Sequence, residues 1–150
     1  MQRYYLKMNN LETILDYRFL NKKLLKQALT HSSLNNKNSY ERLEYLGDSI
    51  INFIVSEYLY NNYMYDNEKN LSKKRTQLIN KKYISKISKS LKLYKYISIN
   101  KNIEISDRIH CNIYESIIGA IYIDSCNIEK IKKIINNTLI DTGIIFKEII

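Results

Sequence analysis

Residues 40–60 read YERLEYLGDSIINFIVSEYLY, and this stretch decides the fold class of the 150-residue chain. Its apolar residues recur at intervals of three and four, which predicts one long amphipathic helix with a face buried in a core. The apolar stripe comprises Leu43, Leu46, Ile50, Phe53 and Ile54. Asn38 is the predicted N-cap of this helix, and Glu41, three residues further on, is its predicted capping-box partner.

Helical patterns continue on both sides of this stretch. The chain has no proline and three glycines, and the scarcity of these helix breakers favours long helices joined by polar loops. We predict a single all-α domain over residues 1–150 with about seven helices. The other predicted helices are a short one ending near Tyr17, residues 21–30, one or two Lys-rich helices over residues 72–91, residues 107–124, and a last one that begins near Asn127 and is capped by Gly143. Predicted loops are residues 32–39, 61–70 and 96–106.

The charge balance favours a polyanionic partner. Lys and Arg number 24 against 15 Asp and Glu, a formal net charge of +9, which suits nucleic acid better than a membrane. No uncharged apolar stretch approaches the ~20 residues that span a bilayer. On charge alone, a lysine content raised by AT-rich coding is an equal alternative. Cys111 and Cys126 indicate neither a disulfide scaffold nor a four-ligand zinc site, and they predict an intracellular, cytoplasmic location.

Three acidic residues share one side of the helix predicted over residues 40–60. Glu41, Glu44 and Asp48 are three and four positions apart, so they lie along one face. Gly47 lies inside the same helix, where glycine costs ~1 kcal/mol relative to alanine. A glycine in the middle of a helix beside clustered carboxylates predicts the close approach of a second backbone or of a ligand. The alternative is an ordinary solvated acidic face.

The helix predicted over residues 107–124 repeats this arrangement. Asn112 and Glu115 are three positions apart on one face, and Gly119 lies on the same side one turn further along. If the two helices cross at their glycines, four hard oxygen ligands converge, which is what Mg²⁺ prefers. The periodicity establishes the shared faces and leaves the crossing open.

Four ordered segments resemble the ribonuclease III family. ERLEYLGDS at residues 41–49 is similar to the family's nine-residue signature, and the flanking matches are ALTHSS at residues 28–33, LSKKRTQLIN at 71–80 and NIYESIIGAIYIDS at 112–125. The resemblance covers residues 24–125. It implies an all-α endonuclease domain that dimerises, holds double-stranded RNA in a valley and cuts each strand. The products would be staggered, with 5′-phosphate and 3′-hydroxyl ends.

The resemblance also implies roles for individual residues. The implied divalent-metal ligands are Glu44, Asp48, Asn112 and Glu115, with Glu41 as an accessory acidic group and Mg²⁺ as the cofactor, for which Mn²⁺ can substitute. Two metal ions about 4 Å apart can activate water, stabilise the phosphorane and assist the departing oxygen, so no side-chain nucleophile is needed. Tyr45 falls where the family places a residue that plugs a socket on the partner subunit. Its alternative is an ordinary core or surface tyrosine.

Asn112 departs from the family, which has Asp at this position. The change removes a negative charge, and unit charges ~4 Å apart interact by about 4 kcal/mol at an effective dielectric near 20. The chain is then an enzyme with a neutral ligand, a deliberately silenced enzyme, or a natural non-cleaving relative that binds RNA or the ribosome. A further alternative is an unrelated metal-dependent helical phosphohydrolase acting on nucleotides.

His31 is predicted to make a structural hydrogen bond at a helix end, and His110 to lie just before the site helix.

The second departure is length, since most family members append a double-stranded RNA-binding domain and this chain stops at Ile150. Affinity for RNA is then expected from the dimer valley, from basic side chains, or from an accessory RNA-binding partner. Lysine-rich helices suit A-form RNA, which proteins grip mainly through phosphates and 2′-hydroxyls. The predicted RNA-binding residues are Lys73, Lys74, Arg75, Lys81 and Lys82. The alternative for each is a solvated helix face.

Overall fold

Two long helices, α3 (Glu41–Asn62) and α6 (Asp107–Ser125), pack against each other at the centre of the fold. The structure is a computed structural model that describes residues 2–141, with side chains from residue 6 onward. The surrounding helices are α1 (Gln2–Leu15), α2 (Lys22–Ala28), α4 (Glu68–Ile79), α5 (Lys81–Ser90) and α7 (Ile128–Ile135). A 3₁₀ turn (Leu93–Lys95) precedes α6, and a π-helical turn (Asn136–Ile140) follows α7.

The described residues contain seven α-helices and no strand apart from a single parallel bridge between Thr30 and Ser98. The predicted all-α fold class is confirmed. None of the helices in this part of the chain has the length and apolarity needed to cross a bilayer.

Helix α6 is the centre of the core because every residue from Ile109 to Ile121 is buried. A helix that is covered all round must be surrounded by other elements, and α2, α3, α5 and α7 pack around α6. The same burial applies to its polar residues, among them Asn112, Glu115 and Ser116. The Ser116 hydroxyl donates to the Ala28 carbonyl oxygen at 2.7 Å and so ties α6 to α2. Buried polar groups need such partners, because an unpaired one costs stability.

The capping box predicted for α3 is wrong. The N-cap is Tyr40, with no side-chain cap, and its carbonyl oxygen accepts the Glu44 N–H at 2.8 Å. Asn38 belongs instead to the preceding loop, where its own N–H donates to Asn35 Oδ1 at 3.0 Å. The physical reason is tertiary: Tyr40 is only 3% exposed, so burial of its ring sets where the helix begins.

Most other helix boundaries agree with the prediction to within a few residues. One boundary, the burial of one residue and the position of another differ from it. Helix α1 begins at Gln2 and is longer than the short helix predicted. Phe53, predicted for the buried stripe, is 55% exposed because it lies on the outer side of α3. His110 lies inside α6 rather than before it. The Lys-rich stretch forms two helices, α4 and α5, which separate at Asn80, and Gly143 lies outside the described residues.

Candidate active site

Helices α3 and α6 cross at Gly47 and Gly119 with their backbones in contact. A Cβ atom on Gly47 would lie 1.8 Å from the Glu115 carbonyl oxygen, and one on Gly119 would lie 2.2 Å from the Leu43 carbonyl oxygen. Both distances are far below van der Waals contact, so only glycine permits the crossing. The close approach of a second backbone, predicted from Gly47, is confirmed, and the second backbone is α6.

The crossing brings the predicted acidic residues of the two helices to one region. On α3, Glu44 is half-buried, while Glu41 and Asp48 are exposed. On α6, Asn112 and Glu115 are 6% and 7% exposed. The site therefore consists of a buried amide and a buried carboxylate on α6, together with one half-buried and two exposed carboxylates on α3.

Glu115 has the most perturbed carboxyl group of this cluster. Burial raises its pKa from 4.5 to about 7, and the hydrogen bond from the Cys111 thiol opposes that rise. The negative charges of Asp48 and Glu44 raise the pKa further, while the positive charge of Lys81 lowers it. Because charges on α3 act on a carboxylate of α6, the two helices share one electrostatic environment.

Glu44 responds to the same neighbours. Burial raises the pKa of Glu44, the charge of Arg108 lowers it, and the charges of Glu41 and Asp48 raise it again. Arg108 lies in the first turn of α6 and belongs to none of the predicted sites. No spacing rule points to it, because its effect depends on the crossing of α3 and α6.

The amide of Asn112 is placed against Tyr40. Burial raises the pKa of the Tyr40 hydroxyl, and a hydrogen bond from Asn112 lowers it. The Tyr40 ring makes an edge contact with His31, with centroids 5.6 Å apart. His31 Nδ1 accepts the Ser33 N–H at 3.0 Å just beyond α2, which confirms the structural hydrogen bond predicted for it.

The chemistry of the donor set fits a divalent cation. Carboxylate and amide oxygens are hard ligands, and repulsion among Glu44, Asp48 and Glu115 is what a cation would relieve. Among residues 2–141, no three Asp, Glu, His or Cys side chains are gathered tightly enough to enclose an ion by themselves. The individual ligand assignments, Asn112 included, stay predictions.

The predicted RNA-binding side chains divide into two groups. Lys73, Lys81 and Lys82 are exposed. Lys74 pairs with Asp66 at 2.5 Å and lies 3.8 Å from the centre of the Tyr63 ring. Arg75 donates from Nη1 to Ser56 Oγ at 3.1 Å. Lys74 and Arg75 thus bind α4 to α3 and its following loop, which leaves the other three as the freer cations.

Tyr45 is 79% exposed on α3. It borders an open groove of about 600 Å³ whose lining includes the apolar residues Leu24, Leu46 and Ile123. A large exposed aromatic side chain beside a partly apolar groove is a feature of protein interaction surfaces. The exposure excludes the alternative that Tyr45 is a core residue.

Known proteins share this helical arrangement. Two solved structures of the nuclease domain of ribonuclease III from Campylobacter jejuni are each 37% identical to the chain. One has a TM-score of 0.85 and covers 90% of this chain and 96% of its own. The other has a TM-score of 0.82 and covers 87% and 92%. These matches place the fold among all-α nuclease domains.

The sequence comparisons give the family. Ribonuclease 3 of Campylobacter fetus and of Aliarcobacter butzleri are 41% identical to the chain over 138 and 122 residues, which is 89% and 78% of it. The chain spans only 61% and 54% of those two proteins. A profile of the family described as Ribonuclease-III-like matches residues 21–142. The chain therefore belongs to the ribonuclease III family, as its motifs predicted.

Proposed function

We propose that the chain is an endoribonuclease domain that hydrolyses double-stranded RNA with a divalent metal ion. The observation that carries the proposal is the contact of α3 and α6 at Gly47 and Gly119, which brings Glu44 and Asp48 into one electrostatic environment with Glu115. Family membership supports the same reaction, because the similar Campylobacter and Aliarcobacter proteins are ribonucleases. The products expected are staggered ends with 5′-phosphate and 3′-hydroxyl groups.

The ligands proposed for the metal are the carboxylates of Glu44, Asp48 and Glu115 and the amide oxygen of Asn112. Mg²⁺ suits this all-oxygen set, and Mn²⁺ can replace it. When bound, the ion would supply an activated water and stabilise the charge on the phosphate. Glu41, exposed one turn before Glu44, adds negative charge beside the site. A cytoplasmic location is the expectation that accompanies this function.

Two surfaces would bind the partners. Tyr45 and its groove are proposed as a contact between two copies of the chain, and the presence of a region involved in dimer formation in the similar Campylobacter jejuni nuclease domain supports a dimer. Lys73, Lys81 and Lys82 are proposed to contact RNA phosphates, with Lys74 and Arg75 contributing less because they are already engaged. An accessory RNA-binding partner would add affinity.

The test is cleavage of a plain RNA duplex with Mg²⁺ or Mn²⁺. Glu115→Gln should abolish cutting, because a neutral amide cannot replace the buried carboxylate, while Glu104→Gln, at an exposed loop position, should cut like the parent chain. Helical circular dichroism should be unchanged in both variants. Cleavage that persists in Glu115→Gln would contradict the ligand assignment.

Asn112 distinguishes the enzyme from its main rival, a non-cleaving RNA-binding or ribosome-associated protein. Asn112→Asp restores a negative charge beside Glu115 and should lower the Mg²⁺ concentration needed for half-maximal cleavage. Duplex binding without cleavage by either form, in either metal, would favour the rival. A competition experiment between duplex RNA and small nucleotides tests the third candidate, a nucleotide phosphohydrolase. Preference for the nucleotides would support it, and preference for the duplex would exclude it.

A further inference from the structure

The Glu115 carboxylate receives a hydrogen bond from within its own helix. The thiol of Cys111, one turn earlier on α6, donates to Glu115 Oε1 at 3.3 Å. Cys111 is fully buried at 0% exposure and Glu115 is 7% exposed. Water therefore has little access to this contact.

Within residues 2–141, the Cys111 thiol is the one side-chain donor to this carboxylate. A buried carboxylate normally needs several donors or a cation. One thiol, which is a weak donor, leaves most of the acceptor capacity of Glu115 unused. The carboxylate is thus oriented by the protein and remains able to accept a cation.

The chemical type of the donor matters as much as its position. A lysine or arginine at this distance would neutralise the carboxylate and compete with a metal ion for it. An apolar residue at position 111 would leave Oε1 without a partner and the side chain free to change rotamer. A protonated thiol holds one oxygen by a neutral hydrogen bond, so the negative charge stays available.

We propose that Cys111 is a positioning residue that orients the Glu115 carboxylate through its thiol hydrogen bond and so strengthens divalent-cation binding. The inference rests on the proposed function, in which Glu115 is a metal ligand. The i, i+4 spacing of the two residues is visible in the sequence, but it gives no reason to select a cysteine. The assignment comes from the distance and the burial of both side chains.

The test compares Cys111→Ala with Cys111→Ser, which keeps a donor at the same place. Mn²⁺ binding to the protein without RNA is measured by titration calorimetry. We expect Cys111→Ala to weaken Mn²⁺ binding about three- to tenfold, the effect of losing one ordinary hydrogen bond, because a thiol is a weak donor. Cys111→Ser should bind within about twofold of the parent chain, a difference well below that of one lost hydrogen bond.

Two controls separate positioning from packing. Cys126→Ala removes an exposed thiol at the end of the same helix and should leave Mn²⁺ binding unchanged. Cys111→Ala in a Glu115→Gln background should cause no further loss, because the acceptor charge is already gone. Equal Mn²⁺ affinity in Cys111→Ala and the parent chain would overturn the proposal, and so would an equal loss in Cys111→Ser.

Cleavage of duplex RNA, measured in parallel, tests the proposed function separately. If Mn²⁺ binding depends on the donor at position 111 while the parent chain fails to cut RNA, the proposed function is overturned and the positioning role stands. If the parent chain cuts RNA and its Mn²⁺ affinity does not depend on the donor at position 111, the proposed function stands and the positioning role is overturned. The urea midpoint of unfolding, measured in EDTA, identifies any variant whose Mn²⁺ affinity falls because its fold is lost. If Cys111→Ala is such a variant, Cys111→Val replaces it, because valine fills the space without supplying a donor.

Discussion

Glu115 shows how a single buried residue makes the stability of this protein depend on pH. The folded state raises the pKa of Glu115 from 4.5 to about 7, chiefly by burial. The fold therefore favours the protonated carboxyl group. Its contribution to stability is complete below about pH 4.5 and is lost as the pH rises through about 7.

Glu115→Gln should consequently make the metal-free protein more stable at pH 8. A glutamine is neutral at every pH, so it escapes the loss that the glutamate suffers on ionising. A rise from 4.5 to about 7 corresponds to an upper bound of about 3 kcal/mol in unfolding free energy. Urea unfolding in EDTA at pH 8 and pH 4.5 measures the gain, which should nearly vanish at the lower pH.

Glu104→Gln is the matched control, because it removes one carboxylate from an exposed loop position and should change little at either pH. A Glu115→Gln variant that is less stable than the parent at pH 8 would show that the carboxylate is not strained in the fold. Added Mg²⁺ should reverse the ranking at pH 8, since it stabilises only the form that binds it.

At the scale of the helices, the contact of Gly47 with Glu115 determines where the site forms. Gly47→Ala places a methyl group 1.8 Å from a backbone oxygen, and a backbone cannot move aside as a flexible side chain can. Overpacking of this kind costs about 1–3 kcal/mol or more, which exceeds the ~1 kcal/mol that alanine gains in helix propensity. We expect a net loss in unfolding free energy, measured by urea titration.

Ser49→Ala tests the effect of helix propensity away from the crossing, because Ser49 is exposed on the same helix and its hydroxyl makes only one long hydrogen bond, to the Tyr45 carbonyl oxygen at 3.4 Å. It should stabilise the protein slightly or leave it unchanged. If Gly47→Ala were as stable as Ser49→Ala, the close packing of α3 on α6 would be contradicted.

The helices also show what sequence patterns could and could not predict. The start of α6 was predictable because Ser106 is a good N-cap, and its side chain accepts the Ile109 N–H at 3.4 Å. The N-cap of α3 was not, because Tyr40, which is buried, occupies the position predicted for Asn38. Gly47 indicated a close approach, yet only the fold identifies Glu115 as the residue it meets.

For the whole molecule, the surface charges also divide into what the sequence predicts and what only the fold shows. The lysine-rich character of α4 was evident from the sequence, but the engagement of Lys74 with Asp66 and Tyr63 was not. Those partners come from the loop between α3 and α4, and their distances depend on how the two helices pack. Composition predicts a basic surface, and tertiary contacts decide which of its cations are free.

Assembly is the last property that can be tested at this scale. Tyr45 is 79% exposed beside a partly apolar groove, so its burial in a dimer would contribute about 2 kcal/mol. Because both copies in the dimer lose this contribution, Tyr45→Ala should raise the dimer dissociation constant about a thousandfold, as measured by sedimentation equilibrium. Tyr60→Ala is the matched control, because Tyr60 is 73% exposed on the same helix but does not line the groove beside Tyr45. If both substitutions weakened the dimer equally, or if neither weakened it, the proposal that Tyr45 lies in the interface would be contradicted.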